Sequence, residues 1–118
     1  MQQFVVFERV NARPPERVGH LDWRQGIPVT GRLVIEERVR MEFERGTVMP
    51  RVEGYRPLSS RFGARDGENA VALTLKAFGR GSFFLFVGDA QVIDLDAEIV
   101  LKPGDEIVFV RLVPLKGG

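Results

Sequence analysis

The residues of this chain that are best suited to take part in a reaction are the last two glycines of the sequence, Gly117 and Gly118. They follow Pro114, which cannot continue a strand ladder, so we expect residues 114–118 to form a thin, flexible tail. Glycines fit a deep and narrow active site, because only backbone approaches the reacting groups there. The terminal carboxylate would be the reactive group. Since a carboxylate is a poor electrophile, ATP would have to activate it as an acyl adenylate on a partner enzyme.

The composition excludes several other kinds of site. The 118 residues include no cysteine and a single histidine, His20. Thiolate catalysis, disulfides, iron–sulfur clusters and multi-histidine metal sites are therefore excluded. Asp94, Asp96 and Glu98 alternate with apolar residues, which is typical of the solvated face of an edge strand and not of metal ligands. We expect no bound metal or cofactor, and no enzymatic activity of the chain itself.

Charge and hydropathy point to neither nucleic acid nor membrane. The formal net charge is +1, and no basic run is interleaved with aromatic residues, so nucleic acid is not an expected partner. The longest apolar run, Phe83–Val87, is too short to span a bilayer. The first residues lack the basic stretch and apolar core of a signal peptide. The sequence therefore predicts a cytoplasmic protein.

The N-terminal part is interpreted as strands joined by an irregular segment. Phe4–Val10 is apolar and β-prone, which predicts a strand buried on both faces. Asn11–Pro28 predicts a structured loop, with His20 and Trp23 as its anchors. In Val29–Glu44 most apolar residues stand at odd positions, which predicts a long strand with a bend. The second part of this stretch, residues 36–45, could instead be a helix.

The middle of the chain is less regular. Glycine and proline interrupt residues 45–69, which we expect to contain a short strand near 47–52 or a short helix near 58–62. Asn69 as the N-cap and Gly79 as the C-terminal glycine favour a helix over Ala70–Phe78. A strand is the alternative there, because apolar residues also alternate.

The C-terminal third carries the clearest strand pattern. Ser82–Val87 predicts a strand, Gly88-Asp89 a turn and Gln91–Leu95 a returning strand. Pro103-Gly104 fits the centre of a type II turn. Glu106–Val113 predicts a last, central strand that is covered on both faces.

Three stretches of this third together resemble the end of ubiquitin-like sulfur carriers, the family of the molybdopterin synthase small subunit and the thiamine-pathway carrier. They are Phe83–Val92, the turn and strand Leu101–Phe109, and Gly117-Gly118. The run Val110–Gly118 is also similar to the tail of ubiquitin, in which apolar and basic residues precede two glycines. The resemblance covers about a third of the chain.

The resemblance implies an α+β protein with a β-grasp fold, a mixed sheet with one helix. The domain would span residues 1–113, with insertions near 11–28 and 45–69, and residues 114–118 would form the tail. A ubiquitin-activating-type adenylyltransferase would use ATP to adenylate Gly118. Sulfur transfer would then give a thiocarboxylate for a sulfur-accepting enzyme. Four residues would contact the adenylating partner along the tail: Arg111, Pro114, Leu115 and Lys116.

Two alternatives stay open on the sequence. The activated carboxyl group could pass to lysines of target proteins through a bacterial conjugation machinery, which would make the chain a protein modifier. The chain could also be a structural or assembly protein with a β-rich fold, and the terminal glycines would then be dispensable.

Overall fold

A mixed five-stranded sheet forms the centre of this α+β fold, and two helices of the described chain pack on it. The computed structural model describes residues 1–24, 26–44 and 67–112. The elements in chain order are β1 (Gln2–Val10), β2 (Glu16–Trp23), β3 (Val29–Thr30), α1 (Gly31–Glu44), α2 (Gly67–Gly79), β4 (Phe84–Val87), β5 (Ala90–Gln91), β6 (Glu98–Ile99) and β7 (Ile107–Arg111).

The strand order of the main sheet is β2-β1-β7-β4-β5. β1 pairs with β2 as an antiparallel hairpin and with β7 in parallel, from Val6 opposite Ile107 to Val10 opposite Arg111. β4 is antiparallel to both β7 and β5. β3 and β6 form a separate two-stranded sheet. The first and last strands of the described chain therefore lie side by side in the middle of the main sheet.

One face of this sheet, which we call the inner face, carries the hydrophobic core. Pleating sends alternate side chains to this face, and they are buried against Val34 and Ile35 of α1 and Ala77 of α2. The apolar strand residues of the inner face include Phe4, Val6, Leu85, Val87, Ile107 and Phe109.

The opposite face, which we call the outer face, is only half-buried. Its apolar side chains are Val5, Phe7, Phe84, Phe86, Val108 and Val110. β7 is central, as predicted, because it lies between β1 and β4. The prediction that β1 and β7 are fully buried on both faces is wrong, since one side of each strand retains exposed area.

Residues 31–44 form a helix and not the strand that the odd-numbered apolar positions predict. The Oγ1 of Thr30 accepts a hydrogen bond from the backbone N–H of Leu33 at 3.2 Å, which caps the helix N-terminus. The buried positions are spaced by one, three or four residues, as one helix face requires: Val34, Ile35, Arg38, Val39 and Glu42. Because two of these positions are charged, the apolar pattern concealed the helical period.

The predicted loop Asn11–Pro28 contains β2, an eight-residue strand. Val18 and Leu21 are buried on the inner face, and a β-bulge lies opposite Val6 and Phe7 of β1. Eight of the eighteen residues of this segment are therefore part of the sheet. The anchoring role of Trp23 is confirmed, because it packs against the hydrophobic core as a partly buried residue. Its Nε1–H also donates to the carbonyl oxygen of Ile27 at 2.8 Å.

The helix predicted over Ala70–Phe78 is confirmed as α2, which begins earlier, at Gly67. Its C-terminal glycine is Gly81 and not Gly79, because Gly81 takes a φ of +76°. The N–H of Ser82 bonds the carbonyl oxygen of Ala77 at 2.9 Å, and that of Gly81 bonds Phe78 at 3.0 Å. These two bonds form a Schellman motif. The described chain thus has two helices where the β-grasp expectation had one.

Both predicted C-terminal turns are present. Gly88 takes a φ of +58° between β4 and β5, and Gly104 takes +87° in a turn closed by the N–H of Asp105 and the carbonyl oxygen of Lys102 at 3.0 Å. The returning strand is shorter than predicted and ends at Gln91. The short elements expected within 45–66 lie outside the described residues. None of the described helices is long and apolar enough to cross a membrane.

Candidate functional site

Residues 113–118 lie outside the described part of the chain. They include both predicted reactive glycines and three predicted partner contacts: Gly117, Gly118, Pro114, Leu115 and Lys116. Their roles stay predictions. The structure does describe the point from which this segment starts, the end of β7 at Arg111. The candidate functional site is therefore the base of the tail.

Backbone hydrogen bonds fix the end of β7 to the β1–β2 turn. Arg111 lies opposite Val10 of β1. The next residue, Asn11, takes a left-handed φ of +52° and donates its backbone N–H to the carbonyl oxygen of Arg111 at 2.9 Å. Asparagine adopts this conformation more readily than most residues. Leu112, which follows, is 61% exposed, and β7 ends at a defined point, Arg111.

Four buried charged side chains, which we call the ionic cluster, lie on the inner face beside this point. Arg111 donates from Nε to Oε1 of Glu8 at 2.7 Å. The same oxygen lies 3.5 Å from Nη2 of Arg38, whose Nε donates to Oε1 of Glu42 at 3.2 Å. None of the four is more than 6% exposed. Two cations and two anions make the ionic cluster neutral, which lowers the cost of burying its charges.

Arg38 also connects the ionic cluster to the centre of the core. Its guanidinium carbon lies 4.5 Å from the centroid of the Phe109 ring, within cation–π range. Phe109 stands between Glu8 and Leu85 across three neighbouring strands. The first strand, the last strand and α1 are therefore held together by one group of contacts. These contacts are shielded from solvent and fix the end of β7 against β1 and α1.

Arg111, predicted to contact the adenylating partner, is buried in the described chain, and its guanidinium is bonded to Glu8. It fixes the end of β7, and its contact with a partner stays a prediction. Sequence reasoning missed the other members of the ionic cluster. One signal was available, since Arg38 and Glu42 are opposite charges four residues apart, a spacing that brings side chains together on a helix but not on a strand.

The three acidic residues Asp94, Asp96 and Glu98 are exposed, and they lie in a turn and at the start of the short strand β6. Asp96 accepts hydrogen bonds from Nε and Nη2 of Arg32 at 2.9 and 3.2 Å. Hydrogen bonding to Arg32 lowers the pKa of the Asp96 carboxyl below its ordinary value. Asp94 accepts from the backbone N–H of Asp96 at 2.9 Å. Within the described ranges, no group of three or more histidine and acidic side chains could hold a metal ion.

The chain was compared with protein-family models, with curated proteins and with solved structures. No family model matches it, and no curated protein or solved structure matched it either. The function is therefore inferred from the residues, from the geometry at the base of the tail and from the resemblance of the C-terminal third.

Proposed function

We propose that this protein is a ubiquitin-like carrier whose C-terminal glycine, Gly118, is adenylated by a partner enzyme and then carries sulfur as a thiocarboxylate. The observation that carries the proposal is the position of β7. It lies in the middle of the sheet, parallel to β1, and leads into the segment that contains Gly117 and Gly118. The chain itself performs no catalysis in this proposal.

The strand arrangement supports a β-grasp, the fold that the resemblance implies. β1 and β2 form a hairpin, the helices follow, and β7 returns between β1 and β4. The mixed sheet that the resemblance implies is present, with β1 and β7 parallel and adjacent, and the described chain adds a second helix to the one that the resemblance implies. Residues 16–23, predicted to belong to an insertion near 11–28, form β2 and pair with β1. This part of the segment therefore supplies the second strand of the N-terminal hairpin.

The base of the tail supports a role in which the domain presents its C-terminus. Arg111 is held by Glu8 and by the backbone of Asn11, while Leu112 is exposed. The six residues 113–118, if fully extended, would reach about 20 Å. A partner could therefore take the terminal carboxylate into a deep site without touching the core. Pro114, Leu115 and Lys116 would contact the adenylating partner along the tail.

The proposed reaction has two steps, adenylation of the carboxylate and transfer of sulfur. The Gly118 carboxylate attacks the α-phosphorus of ATP, which forms the acyl adenylate and releases pyrophosphate. A sulfide equivalent from a sulfur-donating partner then attacks the acyl carbon, and AMP leaves with the electron pair of the broken C–O bond. The product is a thiocarboxylate, which can donate its sulfur to an accepting enzyme. The partners supply ATP and sulfur, and this chain supplies the carboxyl group.

The test is the intact mass of the protein, isolated from the cells that produce it with thiols preserved. The proposal predicts a species in which one oxygen at Gly118 is replaced by sulfur. Larger species that yield a Gly-Gly-linked lysine would overturn the carrier in favour of the modifier. A free carboxylic acid in every fraction, or a chain that does not end at Gly118, would contradict both and favour an assembly protein.

A deletion of Gly118 provides the matched control. We expect the shortened protein to unfold at the same temperature as the full chain, because the ionic cluster and core are untouched. It should lose the sulfur-bearing species completely. Unfolding of the deletion variant would contradict the proposed separation between the fixed base and the reactive tail.

A further inference from the structure

The outer face carries a group of half-buried apolar side chains that lie outside the core of the described elements. Its six apolar side chains stand on three adjacent strands, β1, β7 and β4, and three of them are phenylalanines: Val5, Phe7, Phe84, Phe86, Val108 and Val110. None of the six belongs to the core cluster to which α1 and α2 contribute. A contiguous apolar surface of this kind marks an interaction site.

The register places these side chains in rows across the sheet. Phe7 lies opposite Val108, and Val108 lies opposite Phe86. In the next row Val110 lies opposite Phe84. Because residues directly opposite one another share a face, the rows form one continuous surface. A continuous surface of this kind can pack face to face against a second sheet.

Charged residues give the two ends of this surface opposite charge, with basic residues at one end of the strands and acidic residues at the other. Arg17 lies opposite Phe7, and Arg9 lies opposite Val110, so both cations stand toward the C-terminal end of β1. Asp22 lies opposite Gln3, at the N-terminal end of the same strand. All three charged residues are exposed. Glu106, exposed and directly before β7, adds to the acidic end.

We propose that the outer face binds a second copy of this chain in a symmetric, face-to-face dimer. A two-fold axis that lies in the interface and crosses the strands at right angles reverses the strand direction between the copies. It therefore places Arg9 and Arg17 of each copy over the acidic end of the other. A polyanion is the poorer fit, because one end of the surface would repel it.

The proposal is independent of the proposed function. In this dimer the two β7 strands run in opposite directions, so the two Leu112 residues stand at opposite ends of the assembly. Each tail base stays accessible, and dimer formation neither requires nor prevents activation of Gly118.

The size of the surface predicts a weak dimer. Seven residues of β1 and five strands span roughly 24 Å by roughly 20 Å, or roughly 480 Å² per copy. Stable interfaces bury about 800 Å² per partner. We therefore expect the dimer to dissociate at low concentration and to weaken as salt screens the charged ends.

Sedimentation equilibrium of the full chain, from about 1 µM to about 1 mM, tests the proposal. We expect a monomer–dimer equilibrium that Phe86→Arg weakens at least 30-fold, roughly the effect of losing one hot-spot residue. Val100→Arg is the matched control, since Val100 is an exposed apolar residue outside the five-stranded sheet and should leave the equilibrium unchanged. A monomer at every concentration, or a dimer that Phe86→Arg does not weaken, would overturn the proposal.

Charge reversal tests the symmetry. A chain with Arg9→Glu and Arg17→Glu has two acidic ends, and a chain with Asp22→Arg and Glu106→Arg has two basic ends. Each variant alone should be monomeric, and an equal mixture should form a heterodimer. Unchanged thermal unfolding of both variants shows that the folds are intact. Homodimers of either variant that are as strong as the wild type would contradict the antiparallel arrangement.

Discussion

The two faces of the central sheet are built from the same strands, yet they have different consequences for the molecule. The inner face buries Leu85 and Phe109 completely, whereas Phe86 and Val108, one residue away along each strand, stay half-buried on the outer face. Strand alternation therefore separates the residues that stabilise the core from those of the proposed dimer interface. Substitutions on the inner face should unfold the protein, and those on the outer face should leave its stability nearly unchanged.

Phe109→Ala should produce the largest effect. It removes a fully buried ring that contacts Phe83 and the guanidinium of Arg38. We expect a loss of about 3–5 kcal/mol in the free energy of unfolding, measured by urea denaturation. Phe86→Ala, the same substitution on the outer face, should cost about 1 kcal/mol or less. Equal losses for the two variants would contradict the assignment of the faces.

Glu8→Gln comes next, because it removes one carboxylate from the ionic cluster. Both Arg111 and Arg38 would lose their ion pair with it, and a neutral amide oxygen would replace the charged acceptor of the hydrogen bond from Arg111. Removing one partner from buried charges leaves an uncompensated cation, so we expect a loss of about 3 kcal/mol. The control is Glu16→Gln, opposite Glu8 on β2 but exposed, which should change stability by about 0.5 kcal/mol or less. Equal effects of the two substitutions would show that burial of the ionic cluster does not matter.

Gly31→Ala probes how closely α1 approaches the inner face. A Cβ at this position would lie 2.5 Å from Cγ1 of Val92, closer than side-chain atoms pack. We expect a loss of about 1–3 kcal/mol, measured in the same way. At Gly79 an added Cβ meets nothing within 4 Å and φ is not positive. Gly79→Ala should therefore leave stability unchanged or raise it, and a similar loss at both glycines would contradict the close approach.

What the sequence predicts well in this molecule is set by neighbouring residues. Gly88 and Gly104 are turn residues because of local backbone conformation, and both turns are where the pattern places them. The sequence offers helix α1 only as an alternative over residues 36–45, because Arg38 and Glu42 occupy its buried face. Glu8, which pairs with Arg38, and Arg111, which pairs with Glu8, come from distant parts of the chain. No local pattern encodes that pairing.

The candidate site divides in the same way. The sequence alone suffices to propose Gly117 and Gly118, because the reactivity predicted for them depends on residue type and order. The anchoring of the base of the tail is not visible in the sequence, because Glu8 and Arg111 are 103 residues apart and meet only when β1 and β7 pair. Arg111, one of a basic and apolar run, gave no sign in the sequence that its charge is buried.

The smallest effect should come from the exposed ion pair between Arg32 and Asp96, the counterpart of the ionic cluster outside the core. The hydrogen bond from Arg32 lowers the pKa of Asp96 in the folded state below its ordinary value of 3.8. The pair therefore contributes stability above about pH 4, and this contribution is lost as the pH falls through the folded-state pKa. Arg32 stays protonated throughout.

Asp96→Asn measures that contribution. At neutral pH and low salt the variant should unfold at a slightly lower temperature than the wild type, and the difference should shrink in high salt, which screens an exposed pair. The two melting temperatures should converge as the pH is lowered below 3.8. Glu98→Gln, an exposed acid in the neighbouring strand β6, should show no such convergence. A difference that persists unchanged at low pH would mean that Asp96 acts through the conformation of the 94–97 turn and not through its charge. In that turn the backbone N–H of Asp96 bonds the Asp94 side chain, and the N–H of Ala97 bonds the Asp94 carbonyl oxygen.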